Sequence, residues 1–131
     1  MPVIDPLLLD AAVAARERAY VPYSGFAMGA AVRTERGSIV PGALVENVSL
    51  GLAMCAERVA LFAASTAGER PTALALVSKR TSGRLTYPCG ACLQVALELG
   101  GPTVEVFVSD PAGESASSTV GELLPHGPHR P

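Results

Sequence analysis

Charge is what this sequence has least of. Charged residues make up 17% of its 131 positions, aromatic residues 5%, and tryptophan is absent. Globular domains usually carry about 25% charged residues. A domain this small has much surface for its volume, and so few charges leave part of that surface to be covered by other subunits. A homo-oligomer is expected. Ten Lys and Arg against twelve Asp and Glu give a net charge of −2. The densest basic group, Lys79, Arg80 and Arg84, falls in a polar loop. That excludes long nucleic acid as the expected partner and suits a small neutral molecule. No apolar run approaches the roughly 18 residues that span a bilayer, so no membrane partner is expected. The first residues lack a basic start, and Leu7-Leu8-Leu9 is too short for the apolar core of a signal peptide. Three cysteines, an odd number, argue against a secreted disulfide scaffold. The cytoplasm is the expected compartment, where thiols stay reduced and able to bind metal.

Residues 1–131 read as one domain, without repeats, with 125–131 an irregular tail rich in Pro and Gly. A first helix is expected over 7–19, with Asp5 as N-cap and Pro6 at its first position. Strands over 26–34 and 38–45 form a hairpin around Arg36-Gly37, with Pro41-Gly42 marking a bulge or edge irregularity. Residues 46–53 form a loop of mixed character. A second helix over 55–67 carries Ala56, Val59, Ala60, Phe62, Ala63 and Ala64. So apolar a helix is expected to be buried on more than one side. The run over 72–78 reads as a buried strand. A third helix over 89–99 is stopped by Gly100-Gly101-Pro102. Strands over 103–108 and 114–118 and a helical turn over 120–124 complete the order. Such alternation predicts an α/β layered sandwich with a mixed sheet.

All three cysteines fall in two short motifs, Cys55-Ala56-Glu57 and Pro88-Cys89-Gly90-Ala91-Cys92. Both lie where helices are expected to start. Unpaired backbone N–H groups and the helix dipole there favour negative charge and so favour thiolates. Three thiolates can hold a zinc ion and leave a coordination position for water. Glu57 is then near enough to move that water's protons without being a ligand. Three thiolates and one zinc ion sum to −1, and Arg58 is the natural source of compensating charge. Other readings exist. Cys89 and Cys92 also fit a thiol–disulfide redox motif, which leaves Cys55 and Glu57 without a role. A structural zinc site needs a fourth ligand, for which only His126 and His129 are spare. Three unrelated buried cysteines are a further reading, against which the Pro-Cys-x-x-Cys spacing speaks.

Several segments together resemble the small, homotetrameric cytidine deaminases. They are Tyr20-Val-Pro-Tyr-Ser-Gly-Phe-Ala-Met-Gly-Ala-Ala31, Val45-Glu46-Asn47, Cys55-Ala-Glu-Arg58, Pro88-Cys-Gly-Ala-Cys92 and Glu122-Leu-Leu-Pro125. The resemblance runs from about residue 19 to 125. It implies a three-layer sandwich around a central mixed five-stranded sheet, and zinc as the cofactor. It also implies hydrolytic deamination of cytidine or deoxycytidine to uridine or deoxyuridine and ammonia, as in pyrimidine salvage. Zinc then falls to Cys55, Cys89 and Cys92, and proton transfer to Glu57. Phe26 stacks near the base, Ala56 offers its backbone to the ring, and Glu46 binds a ribose hydroxyl.

Four positions depart from the family pattern. Leu44 stands where asparagine usually precedes the ribose-binding glutamate, and Leu50 where an aromatic residue is common. No phenylalanine follows the Leu-Leu-Pro motif. Leu93 replaces an arginine common after the second CxxC cysteine, which leaves more of the charge compensation to Arg58. The catalytic set is therefore expected to be intact and the sugar side altered. A modified or nucleoside-like aminopyrimidine is the alternative substrate.

Overall fold

The computed structural model describes residues 5–130. Helix α1 (Pro6–Arg16) leads into the hairpin β1 (Met28–Thr34) and β2 (Ile39–Ala43). A single 3-10 turn (Leu50–Leu52) precedes α2 (Ala56–Thr66). Then come β3 (Pro71–Ser78), α3 (Gly90–Gly100), β4 (Glu105–Ser109), β5 (Ser115–Thr119) and α4 (Val120–Leu123). The five strands form one sheet in the order β2-β1-β3-β4-β5. β3 and β4 run parallel, joined through α3, and every other pairing is antiparallel. The sheet is mixed and five-stranded, as expected.

Period-two alternation divides the strands between two cores. Ala30, Val32, Leu74, Leu76, Val106 and Val108 face α2 and α3 with Ala60, Leu61, Ala96 and Leu97. Ala31, Ala73, Ala75, Val77 and Phe107 face α1 with Leu8 and Ala12. Helices thus cover both faces, which makes three layers. The alanines let α1 lie close to the sheet. Phe107 supplies the bulk of that thin core, and burying it contributes about 2–3 kcal/mol.

Asp5 caps α1, its Oδ1 accepting from the Leu8 amide at 3.1 Å, and Pro6 takes the first helical position. The helix ends at Arg16, three residues short of the expected limit. The Arg16 Nε–H donates to the Ala27 carbonyl at 3.1 Å, tying the helix end to the segment entering β1. Contrary to expectation, Pro41-Gly42 makes no bulge. Ala31 pairs with Pro41 and Ala30 with Gly42 in unbroken register, and the irregularity lies at Arg33–Thr34 of the β1–β3 pairing. Proline is tolerated because β2 is an edge strand. Glycine has a tertiary cause: a Cβ at residue 42 would stand 2.5 Å from both the Ala56 oxygen and the Ala60 nitrogen of α2.

Helix α2 does not bury its apolar surface on all sides. Ala56, Glu57, Ala60, Leu61 and Ala64 are buried, whereas Phe62 is 44% exposed and Ala63 is exposed. Residues 125–130 form neither helix nor strand, yet they lie against α3. Gln94 Nε2 donates to the Pro128 carbonyl at 2.7 Å, and Gly127 is packed against Leu97 and Leu124. Among the described residues, no helix is long and apolar enough to cross a membrane.

Candidate metal centre and active site

Two helix starts supply the cysteines. Cys55 is the N-cap of α2 and Cys89 that of α3, both with extended backbone. N-cap side chains usually accept a bond from the first turn of their helix, but neither sulfur does so here. Both sulfurs are left free to point at a common centre, and Cys92 joins them from the first turn of α3. The three Sγ atoms lie within 4.8 Å of one another, with Cys89 and Cys92 at 3.6 Å. Zinc–sulfur bonds of about 2.3 Å in tetrahedral array put sulfurs about 3.8 Å apart, so the spacing fits zinc. Among the described residues, no imidazole or carboxylate joins the three sulfurs. His129 lies at the other end of α3, in a cavity with Gly100 and Gly101, too far along the helix to complete a four-ligand structural site.

The electrostatics call for a cation. Burial, then the neighbouring Glu57 carboxylate, pushes the Cys92 thiol well above its ordinary range. Burial opposes ionisation of Cys89 too, but backbone and side-chain hydrogen bonds from Cys92 and the Ala91 amide outweigh it and lower that thiol. Arg58 reaches Cys55, its Nη2 donating to Sγ at 3.3 Å. Bonds to Cys55 and then Cys92 hold the guanidinium firmly charged. Leu93 lies in the core and contributes nothing to this balance.

Glu57 sits in the first turn of α2 and is 2% exposed. Its Oε1 is buried and has no hydrogen-bond partner among the described residues. Burial raises its proton affinity, offset in part by its own backbone amide, Cys92 and Arg58. A buried carboxyl group with a free oxygen, outside the sulfur cluster but beside it, can accept and return a proton.

The remaining candidate residues fall into two places. Ala56 is fully buried at the first position of α2, so its N–H has no partner within the helix, while its carbonyl side meets Gly42. Glu46 and Phe26 are joined through Ser24, a residue the sequence reading gave no role. The Ser24 hydroxyl donates to Glu46 Oε2 at 2.5 Å, and its oxygen accepts from the Phe26 amide at 3.0 Å. The Tyr23 and Ser24 amides donate to Glu46 Oε1 at 3.1 and 3.2 Å, and these bonds, that of the Ser24 hydroxyl first, lower the carboxyl pKa. The only signal for this arrangement was the turn chemistry of Pro-Tyr-Ser-Gly beside a solitary acid.

A family model described as the cytidine and deoxycytidylate deaminase zinc-binding region matches residues 4–108. The chain belongs to the cytidine deaminase family. It is 45% identical over 119 residues to a cytidine deaminase of Halalkalibacterium halodurans, covering 91% of this chain and 89% of that one. The crystal structure of cytidine deaminase from Burkholderia pseudomallei superimposes with a TM-score of 0.88 at 47% identity, over 95% of this chain and 99% of that one. The enzyme from Mycobacterium tuberculosis gives 0.79 at 40% identity, over 95% and 98%. The three-layer fold is therefore that of the family, and the domain is a zinc-binding one. The three thiols, so spaced and without a fourth protein ligand among the described residues, have the donor chemistry that zinc needs.

Proposed function

We propose that the protein is a zinc-dependent aminohydrolase that converts cytidine or deoxycytidine to uridine or deoxyuridine and ammonia. One observation carries the reading: three free sulfurs converge at two helix N-termini beside a buried carboxyl oxygen that has no partner among the described residues. Cys55, Cys89 and Cys92 hold the metal, which when bound supplies the Lewis acidity that makes water nucleophilic at neutral pH. Glu57 takes a proton from the water that attacks carbon 4 of the ring and delivers it to a ring nitrogen. It then carries the second proton to the amino group, which leaves as ammonia. Carbon 4 thereby exchanges its bond to nitrogen for one to oxygen. Arg58 offsets the negative charge of the thiolates. Ala56 presents its backbone to the ring, and Phe26 and Glu46 position the substrate.

Residues 1–131 form a single deaminase domain with 125–131 as an irregular tail. It works as a cytoplasmic homotetramer in pyrimidine salvage. The exposed apolar side chains Phe62, Leu52 and Val48 support association. A natural substrate with an altered sugar is the second reading, favoured by Leu44 and Leu50 beside Glu46. Metal analysis with cytidine turnover tests the main reading: about one zinc per chain is expected, with kcat/KM of about 10,000 per molar per second or better. Metal-free active protein, or a reversible Cys89–Cys92 disulfide in place of zinc, would sink it.

A further inference from the structure

Cys89 depends on the chain before it more than its two partners do. Cys55 follows Met54, whose backbone exchanges bonds of 3.1 and 2.9 Å with Val45. Cys92 is buried in the first turn of α3, a helix seated on the core by Leu93, Ala96 and Leu97. Cys89 instead stands exposed at the joint between that helix and the loop 79–88 that leaves β3. Its place follows from the path of the loop.

Most bonds of the loop shape it without fixing it. Thr81 and Arg84 exchange backbone bonds of 2.9 and 3.1 Å around Ser82 and Gly83, whose φ values of 52° and 77° suit a tight hairpin turn. Thr86 Oγ1 donates to the Lys79 carbonyl at 2.7 Å and lies 2.6 Å from Thr81 Oγ1. These bonds tie the loop to its own neck. Arg80 reaches further. Its Nε donates to Asp110 Oδ2 at 3.0 Å, its Nη2 lies 2.9 Å from Glu114 Oε1, and its Nη1 donates to the Gly83 carbonyl at 3.2 Å. Asp110 is a firm anchor. It is 8% exposed, and its Oδ1 accepts from the Glu114 amide at 2.9 Å across the turn between β4 and β5. Among the described residues, the bonds from loop 79–88 to that turn are all made by Arg80. The two groups meet because β3 and β4 run parallel, with Val77 opposite Ser109 at their ends.

We infer that Arg80 is a positioning residue for the metal centre: by joining the loop to Asp110 and Glu114 it holds Cys89 where three sulfurs can share one zinc ion. The inference rests on the zinc deaminase reading. Without Arg80 the nearly buried Asp110 carboxylate loses its charge partner, and the loop loses its tie to the sheet end. A ligand that must be ordered as the metal arrives binds it more weakly, by the entropy of ordering it.

The test is the zinc Kd of Arg80→Ala and Arg80→Gln, measured by competition with a chromogenic chelator, alongside the melting temperature of the zinc-free proteins. Loss of a group that supports a metal ligand typically costs 10- to 100-fold in metal affinity, so Kd is expected to rise at least about 10-fold. Asp5→Asn is the control. It breaks the pair with Arg33, which lies opposite Ala73 at the other end of β3, and is expected to leave Kd unchanged. An ion pair that only stabilised the fold would lower the melting temperature and leave zinc affinity alone. Glutamine keeps part of the arginine stem, so the second variant tests the idea even if the first fails to fold. A folded Arg80 variant whose Kd rises by less than about 10-fold overturns the inference, as does an equal rise in Asp5→Asn. Either result with tight zinc binding by the parent leaves the deaminase reading standing. A parent protein that binds no zinc removes both.

Discussion

Replacing Glu57 with glutamine separates proton transfer from everything else the site does. The side chain is 2% exposed, so glutamine, nearly equal in size, occupies the same place without opening a cavity. The carboxylate lies outside the sulfur cluster, so about one zinc per chain should be retained. What is lost is a group able to take up and return protons. General acid–base catalysis contributes about 100- to 10,000-fold, equivalent to about 2.7–5.4 kcal/mol of transition-state stabilisation at 1.36 kcal/mol per tenfold. Following the ultraviolet change from cytosine to uracil should therefore show kcat reduced by at least about 100-fold in Glu57→Gln. Stability supplies a control. Burial disfavours the ionised carboxylate, and a neutral amide carries a smaller desolvation penalty. Zinc-free Glu57→Gln should then melt no lower than the zinc-free parent at neutral pH. A zinc-loaded, folded variant with kcat within about tenfold of the parent would refute the role given to this residue.

Arg58→Ala removes a guanidinium bonded to Cys55. Loss of a group that supports a metal ligand typically lowers metal affinity or activity 10- to 100-fold, so weaker zinc retention in chelator competition and reduced kcat are expected, and full activity would exclude Arg58. Asp5→Asn keeps an N-cap of equal quality but loses the ion pair with Arg33, a partly exposed pair worth up to about 1 kcal/mol. The Arg33 guanidinium holds the Asp5 carboxyl below its usual range. The pair's contribution is therefore complete above the unfolded value near 3.8 and is lost as pH falls through the lower folded value. Denaturation of parent and variant should differ by a constant amount at neutral pH and converge in acid, and a difference that grows in acid would contradict this sign.

The metal cluster was legible because its logic is local. Pro-Cys-x-x-Cys at a helix start and Cys-Ala-Glu at another place three sulfur donors and a carboxyl group at two helix N-termini within a few residues each. The layered fold was legible because 72–78 is apolar over nearly the length of a strand, as a buried strand requires, and strand and helix patterns alternate around it. What sequence could not give were the places where one backbone meets another. Pro41-Gly42 reads as a bulge from turn chemistry alone. Only the approach of α2 shows that Gly42 is there to let Ala56 and Ala60 come close. Glu46 reads as an acid awaiting a ligand, and only the folded Tyr23–Ser24 turn shows how much of its capacity is already used. The outward side of α2 looks buried because a sequence does not distinguish an apolar face in the core from one left at the surface, where Phe62 and Ala63 stand exposed.

These backbone contacts bear directly on the chemistry. Gly42 seats the first turn of α2, which carries Cys55 and Glu57. Two residues further on, Leu44 lines a cavity with Glu46 and Leu50, and Val45 is bonded to Met54, the neighbour of Cys55. One short stretch of chain, the end of β2 and the residues after it, therefore sets the positions of Cys55, Glu57 and the wall that Leu44 lines together. A displacement of β2 would move all three at once, so a substitution at residue 42 should disturb zinc retention and substrate preference jointly, whereas substitutions at Leu50, on the rim, should alter preference alone. The contrast follows from where each residue is anchored: Gly42 against α2, whose N-cap is Cys55, and Leu50 in a 3-10 turn with no buried residue, at the edge of the cavity.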